Sequence, residues 1–67
     1  MLNVSVNGKK QQFPKGACVA DLINELSLEG KRFAVERNGE IVPKSSMASV
    51  PLADGDSVEV VIAVGGG

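Results

Sequence analysis

The chain has 67 residues, enough for one domain and close to the lower size at which a hydrophobic core sustains a fold. Its composition is that of a globular domain, 43% hydrophobic and 22% charged, and its net charge of −1 offers no basic surface for nucleic acid or an anionic membrane. With Phe13 and Phe33 as the whole aromatic complement, there is no platform for stacking bases.

Other exclusions follow from single residue types. One cysteine, Cys18, rules out an internal disulfide and suits a reducing cytoplasm. Without histidine there is no Ser-His or Cys-His pair and no usual metal site. The carboxylates are scattered over expected loops and exposed faces, whereas a catalytic carboxylate needs a desolvated cleft. No stretch reaches membrane-spanning length. The chain is therefore expected not to be an enzyme by itself, to hold no metal and no bound cofactor, and to be a cytoplasmic monomer.

In chain order, Leu2, Val4 and Val6 alternate with Asn3 and Ser5, the period of a half-buried strand. Asn7-Gly8 is a strong hairpin signal, because both residues tolerate positive φ. Lys9 to Phe13 returns antiparallel as a polar edge strand with Phe13 inward, and Pro14 ends it. After the Lys15-Gly16 turn the period changes. Val19, Leu22, Ile23 and Leu26 form one apolar stripe of a helix, with Asp21, Asn24 and Glu25 on the other side. Asp21 in the first turn suits the positive helix end. Cys18 stands where a Ser or Thr N-cap is usual. It reads as a small cap or core residue, with a reactive thiol at a helix N-terminus as the alternative. Gly30 is expected to close the helix.

Phe33 to Arg37 reads as a third strand, Asn38-Gly39 as a second hairpin turn, and Glu40-Ile41-Val42 as a short fourth strand stopped by Pro43. Lys44 to Pro51 is expected to be irregular, with Met47, Val50 and Leu52 sealing the core. Asp54-Gly55-Asp56 is a tight turn. Val58, Val60, Ile62 and Val64 then alternate with Glu59, Val61 and Ala63. This last strand is apolar on both faces for much of its length, which marks a central strand with the first strand beside it. With a right-handed crossover through the helix, the order predicts an α+β fold of the β-grasp, ubiquitin-like kind. A mixed five-stranded sheet packs on one main helix. The expected core is Leu2, Val4, Val6, Phe13, Val19, Leu22, Ile23, Leu26, Val35, Ile41, Val58, Val60 and Ile62. Residues 1–64 form the domain and 65–67 a flexible tail.

That tail, Gly65-Gly66-Gly67, has no side chain to pack. Taken alone it reads as readily as a frayed terminus or a linker remnant as it does as a functional arm. With Val64 it reaches roughly 13–14 Å when extended, enough to enter another protein's active site. The carboxylate of Gly67 is then the chemical group at its tip. If Val58, Val60 and Ile62 face the helix, Val61 and Ala63 face away beside the tail and are candidates for docking a partner.

Several segments together resemble the ThiS family of sulfur carrier proteins. They are Val6-Asn7-Gly8, Val19-Ala20-Asp21-Leu22-Ile23, Val35 to Lys44 with its Asn-Gly-Glu-Ile-Val-Pro run, Asp54-Gly55-Asp56 and the terminal glycines. The resemblance covers the whole chain. The tail departs from the family's usual terminal glycine pair by a third glycine, and Cys18 replaces the usual Thr or Ser at the helix start. The resemblance implies a co-substrate. A ubiquitin-activating-type adenylyltransferase would use ATP to adenylate the Gly67 carboxylate, and sulfur from a donor such as a cysteine desulfurase would convert it to a thiocarboxylate. Thiazole synthase would take that sulfur for thiamine. The alternatives are the small subunit of molybdopterin synthase and a ubiquitin-like modifier.

Overall fold

The computed structural model describes residues 1–28 and 30–63. The elements are β1 (Leu2–Val6), β2 (Lys9–Phe13), α1 (Val19–Glu25), β3 (Phe33–Arg37), β4 (Glu40–Ile41), a 3₁₀ helix (Lys44–Ser49) and β5 (Ser57–Ile62). The sheet order is β2-β1-β5-β3-β4. β1 and β5 run parallel, and the remaining pairs are antiparallel. The most apolar strand is thus central, the polar strand β2 is an edge, and the sheet is mixed, as its residue pattern predicts.

Both hairpins are two-residue turns with positive φ at each position: Asn7 50° and Gly8 84°, then Asn38 51° and Gly39 85°. That twist matches the twist of the flanking strands. Each asparagine has a second task. Asn7 Nδ2 donates to the Val60 carbonyl at 3.2 Å, and the Val60 N–H donates to Asn7 Oδ1 at 2.7 Å. β1 ends at Val6, so the amide of Asn7 continues the ladder where the backbone has turned away. Across the sheet, the Ser57 N–H donates to Asn38 Oδ1 at 2.9 Å, and the Asn38 N–H donates to the Ser57 carbonyl at 2.8 Å. Two side chains therefore act as strand partners for β5.

The buried core joins Val4, Val6 and Phe13 of the first hairpin, Val35 of β3, and Val58 and Val60 of β5. Val19 and Leu22 of α1 close over it with Ala17, Leu28, Val42, Met47 and Leu52. Leu2, Ile23 and Leu26 are half-buried and pack on it. The helix begins at Cys18, whose φ of −118° is extended. The Asp21 carboxylate accepts the Cys18 N–H at 2.8 Å and its thiol at 3.3 Å. These two bonds, the backbone one foremost, hold the Asp21 carboxyl below the usual carboxylate range. Cys18 serves the helix as a cap. It also forms a bridge with Pro51, flanked by Val19 N–H to Val50 carbonyl and Leu52 N–H to Ala17 carbonyl, both 2.9 Å. The chain entering α1 is thereby tied to the chain leaving the 3₁₀ helix.

Four expectations are corrected. Gly30 does not close α1: the helix ends at Glu25, Leu26 is its cap, and Ser27 takes the left-handed conformation with φ 53°. Ile41 is not in the core but 66% exposed, and Val42 is buried in its place. Ile41 pairs with Glu36 and so shares its outward face, while the Val42 N–H donates to the Val35 carbonyl at 2.8 Å. Ile62 is 42% exposed although it shares the face of Val60. A seven-residue helix is about 10 Å long, and the row of Ile62 and Phe33 lies at the end of the sheet. Lys44 to Ser49 is a 3₁₀ helix and not irregular. It starts after Pro43, whose carbonyl accepts the Ser46 N–H at 2.9 Å, and it turns Met47 inward.

Asp56 is the one buried charged residue among those described. Its carboxylate accepts Arg37 Nε at 2.8 Å, Asn38 Nδ2 at 3.0 Å and the Ala53 N–H at 2.8 Å. Burial alone would raise its pKa, but the bonds from Asn38, Arg37 and Ala53, with the charge of Arg37, outweigh burial and lower it.

Two predictions follow from these contacts. A lowered folded pKa gives stability that is complete above the ordinary carboxyl value near 3.8 and is lost as pH falls through the folded value. Unfolding free energy should therefore drop below pH 4 or so, and Asp56→Asn should flatten that acid limb and cost about 1–3 kcal/mol near neutrality. Urea titrations across pH read both. Asn7→Asp keeps the turn but sets an oxygen against the Val60 carbonyl. It should lower stability by about 1–3 kcal/mol; an unchanged urea midpoint would mean that Asn7 matters only for its turn.

Candidate functional site

The alternation of β5 divides the sheet into two faces. Val58 and Val60 are buried against the helix, so Ser57, Glu59 and Val61 lie on the outer face, and all three are exposed. Register carries this division across the sheet. Val61 stands opposite Ala34 and Glu59 opposite Glu36, while Glu36 also pairs with Ile41. Val61 is 63% exposed. Ala63, just past the strand, is exposed, and its N–H donates to the Arg32 carbonyl at 2.9 Å. That bond carries the pairing with the β3 side one residue beyond β5.

Val61 and Ala63, expected to face away from the helix, are therefore exposed at the end of the central strand. Ala34 and Ile41 share their face and were not anticipated there. The signal for both was present. Val35 is inward, so Ala34 and Glu36 are outward, and a two-residue Asn-Gly loop then sets Ile41 opposite Glu36. The expected sulfur-carrying Gly67 and the tail residues Gly65 and Gly66 lie outside the described residues, as does Val64.

Elsewhere the described residues offer little chemistry. A groove of about 380 Å³ runs between α1 and the 3₁₀ helix, with Ala20, Ile23, Phe33 and Met47 among the residues that line it. Lys44 Nζ lies 4.8 Å from the centre of the Phe33 ring, a cation–π contact at its rim. Among the described residues no group of three metal-ligating side chains occurs. No helix among them is long and apolar enough to cross a membrane. The arrangement suits a rigid body that presents an apolar strip and a strand end.

Comparison with known proteins gives the context of this arrangement. The ThiS family model matches residues 4–67. The sulfur carrier protein ThiS of Bacillus subtilis is 40% identical over 65 residues, spanning 96% of this chain and 98% of the relative. A protein named thiazole synthase from Paramagnetospirillum magneticum is 44% identical over 66 residues. The match takes in 98% of this chain, but the chain spans only 20% of that relative's length. The crystal structure of the thiamine biosynthesis protein ThiS from Geobacter metallireducens superposes with a TM-score of 0.76 at 33% identity, covering 98% of this chain and 100% of that one. With a family match over nearly its whole length and a full-length relative at this identity, the chain belongs to the ThiS family and is a non-catalytic sulfur carrier of thiamine biosynthesis.

Proposed function

We propose that the carboxylate of Gly67 is the group that carries the sulfur, and that residues 65–67 form the tail that delivers it. The observation that carries this reading is the family match through residue 67, on a chain whose last three residues are glycine. A free carboxylate is a poor acyl donor. Adenylation by an ATP-using enzyme of the ubiquitin-activating type turns one oxygen into part of a good leaving group. Persulfide sulfur from a donor such as a cysteine desulfurase then displaces AMP to give an acyl disulfide, and a thiol reductant cleaves its S–S bond, becoming a disulfide itself, to leave a thiocarboxylate. ATP belongs to the activating enzyme, and this chain supplies the acyl group. Glycine at the tip keeps a Cβ out of a narrow channel and away from the attacked carbonyl.

Thiazole synthase is the acceptor in this reading, supported by the relative of that name in which a segment matching this chain forms part of a longer polypeptide. Docking is assigned to the outer sheet face around Val61 and Ala63, because apolar side chains exposed beside a tail can seat a partner. The chain acts in the cytoplasm, where a free Cys18 stays reduced.

Incubation with the activating enzyme, ATP and a sulfur source should shift the intact mass by the difference between sulfur and oxygen. No shift with a demonstrably active enzyme would overturn the assignment, and faster activation of a chain lacking Gly67 would move the sulfur to Gly66. Val61→Asp should weaken binding to the activating enzyme or to thiazole synthase while leaving the melting temperature nearly unchanged. Unaltered affinity for both would remove the docking face.

A further inference from the structure

The chain contains the dipeptide Asn-Gly twice, at Asn7-Gly8 and at Asn38-Gly39. This dipeptide has a chemistry of its own in water. The main-chain nitrogen of the glycine attacks Cγ of the asparagine amide, with no glycine Cβ to hinder the approach. A bond forms from that nitrogen to Cγ, and the Cγ–Nδ2 bond breaks. Ammonia leaves, taking the proton that the glycine nitrogen gives up, and a succinimide ring remains. Water then opens the ring at one carbonyl or the other, giving aspartate or isoaspartate. Nothing is oxidised or reduced, and water is the co-reactant. The other asparagines, Asn3 and Asn24, precede valine and glutamate, whose side chains crowd the attacking nitrogen.

Both Asn-Gly sites are exposed and both occupy the same kind of turn, with φ of 50° and 51° at the asparagines and 84° and 85° at the glycines. Local sequence and conformation make them equivalent, but their side chains are not equally held. The attack needs Cγ to swing over the next peptide nitrogen, so the bonds on the amide must open first. Asn38 Nδ2 donates to the Asp56 carboxylate at 3.0 Å, and its Oδ1 accepts the Ser57 N–H at 2.9 Å. Asp56 is 5% exposed and also binds Arg37, so releasing Asn38 strips a donor from a buried charge. Asn7 has neutral partners: Nδ2 donates to the Val60 carbonyl at 3.2 Å, and Oδ1 accepts the Val60 N–H at 2.7 Å. Hydrogen bonds to an ionised group are roughly twice as strong as neutral ones. The main-chain N–H of each asparagine donates to β5, at 2.9 Å for Asn7 and 2.8 Å for Asn38, and so does not separate them. Strand pairing does. β3 meets β5 over five residue pairs on the Asn38 side, and β1 meets it over two on the Asn7 side. A shorter ladder opens locally at lower cost.

We propose that Asn7 is a deamidation site of the folded protein and that the bond to Asp56 protects Asn38 from the same reaction. The product acts where Asn7 serves as a strand partner. Aspartate at that position has no donor for the Val60 carbonyl and sets an acceptor against it. Isoaspartate adds a carbon to the main chain of a two-residue turn, which upsets the register of the hairpin that the turn closes. Either product adds one negative charge and takes from β5 its partner at Val60, beside Val61 on the outer face of the sheet.

The test incubates the full chain in mildly alkaline buffer, once native and once in concentrated urea, and follows amide-to-acid conversion at each asparagine by peptide mapping and mass spectrometry. In urea the two sites should react at similar rates. In the native chain Asn38 should react about tenfold or more slowly than Asn7. Chains modified at Asn7, separated by anion exchange on their added charge, should have a lower urea midpoint than unmodified chains. A native ratio of rates no larger than the ratio in urea would assign any difference to local sequence and overturn the proposal. Faster native reaction at Asn38, or no native reaction at Asn7 while it proceeds in urea, would overturn it too. An unchanged urea midpoint after modification at Asn7 would overturn the consequence drawn for β5.

Discussion

The fold depends on holding one strand from both sides. β5 is apolar and central, yet β1 reaches it only at Ser57 and Val58. Beyond that point the backbone of the first hairpin has turned away, and the amide of Asn7 occupies the vacated position on Val60. A primary amide offers one donor and one acceptor on the same side, which is what a neighbouring strand residue would offer. Glycine could make the turn, and aspartate could make it too, but neither supplies both groups. Asn38 performs a related task at Ser57 from the β3 side, its Oδ1 accepting and its main-chain N–H donating, while its Nδ2 goes to Asp56. The turn residues and the ladder partners are thus the same residues.

Asp56 ties this arrangement to the other end of the strand. Its carboxylate gathers Arg37, Asn38 and the Ala53 N–H, while its own carbonyl accepts the Ser5 N–H at 2.9 Å. The tight turn before β5 is docked on β1 as well: the Asn3 N–H donates to Asp54 Oδ1, and the Gly55 N–H donates to the Asn3 carbonyl, both at 2.7 Å. In a domain this small, where the hydrophobic core is limited, a fully bonded buried carboxylate fixes geometry that apolar packing leaves loose. The start of β5 is therefore set by polar contacts and its middle by burial of Val58 and Val60.

This division suits a carrier. The core occupies the helix-facing side of the sheet and the asparagine clamps lie along the strand edges, leaving the outer face around Val61 without core contacts. Val61, Ala34 and Ile41 can be exposed there without weakening the core, and Glu36 and Glu59 can be opposed at modest cost. The reactive group in the proposed function needs no cleft of its own, because the catalytic machinery belongs to the partners. What the domain contributes is a fixed surface at a known distance along the chain from the group being transferred.

Much of this was legible in the residues. Period-two and period-3.6 patterns placed the strands and the helix, two Asn-Gly pairs placed the hairpins, and the doubly apolar run around Val60 marked the central strand. These signals are local or depend on one face of one element, so no tertiary knowledge is needed to read them. The terminal glycines and the Asn38 to Lys44 segment pointed to the family for the same reason: they are contiguous. What needed the tertiary structure was set by partners far along the chain. A two-residue strand has too few positions for alternation to set its phase, so register against β3 turned Ile41 outward and Val42 inward. The length of α1 left Ile62 uncovered, and Ser27 instead of Gly30 took the left-handed turn after it. The roles of Asn7 and Asn38 as surrogate strand partners, and the meeting of Glu36 with Glu59, arise from contacts about twenty to fifty residues apart. Sequence by itself determined where the strands and the main helix form; only the pairing of distant strands decided which side chains meet, because register is a property of two strands and not of one.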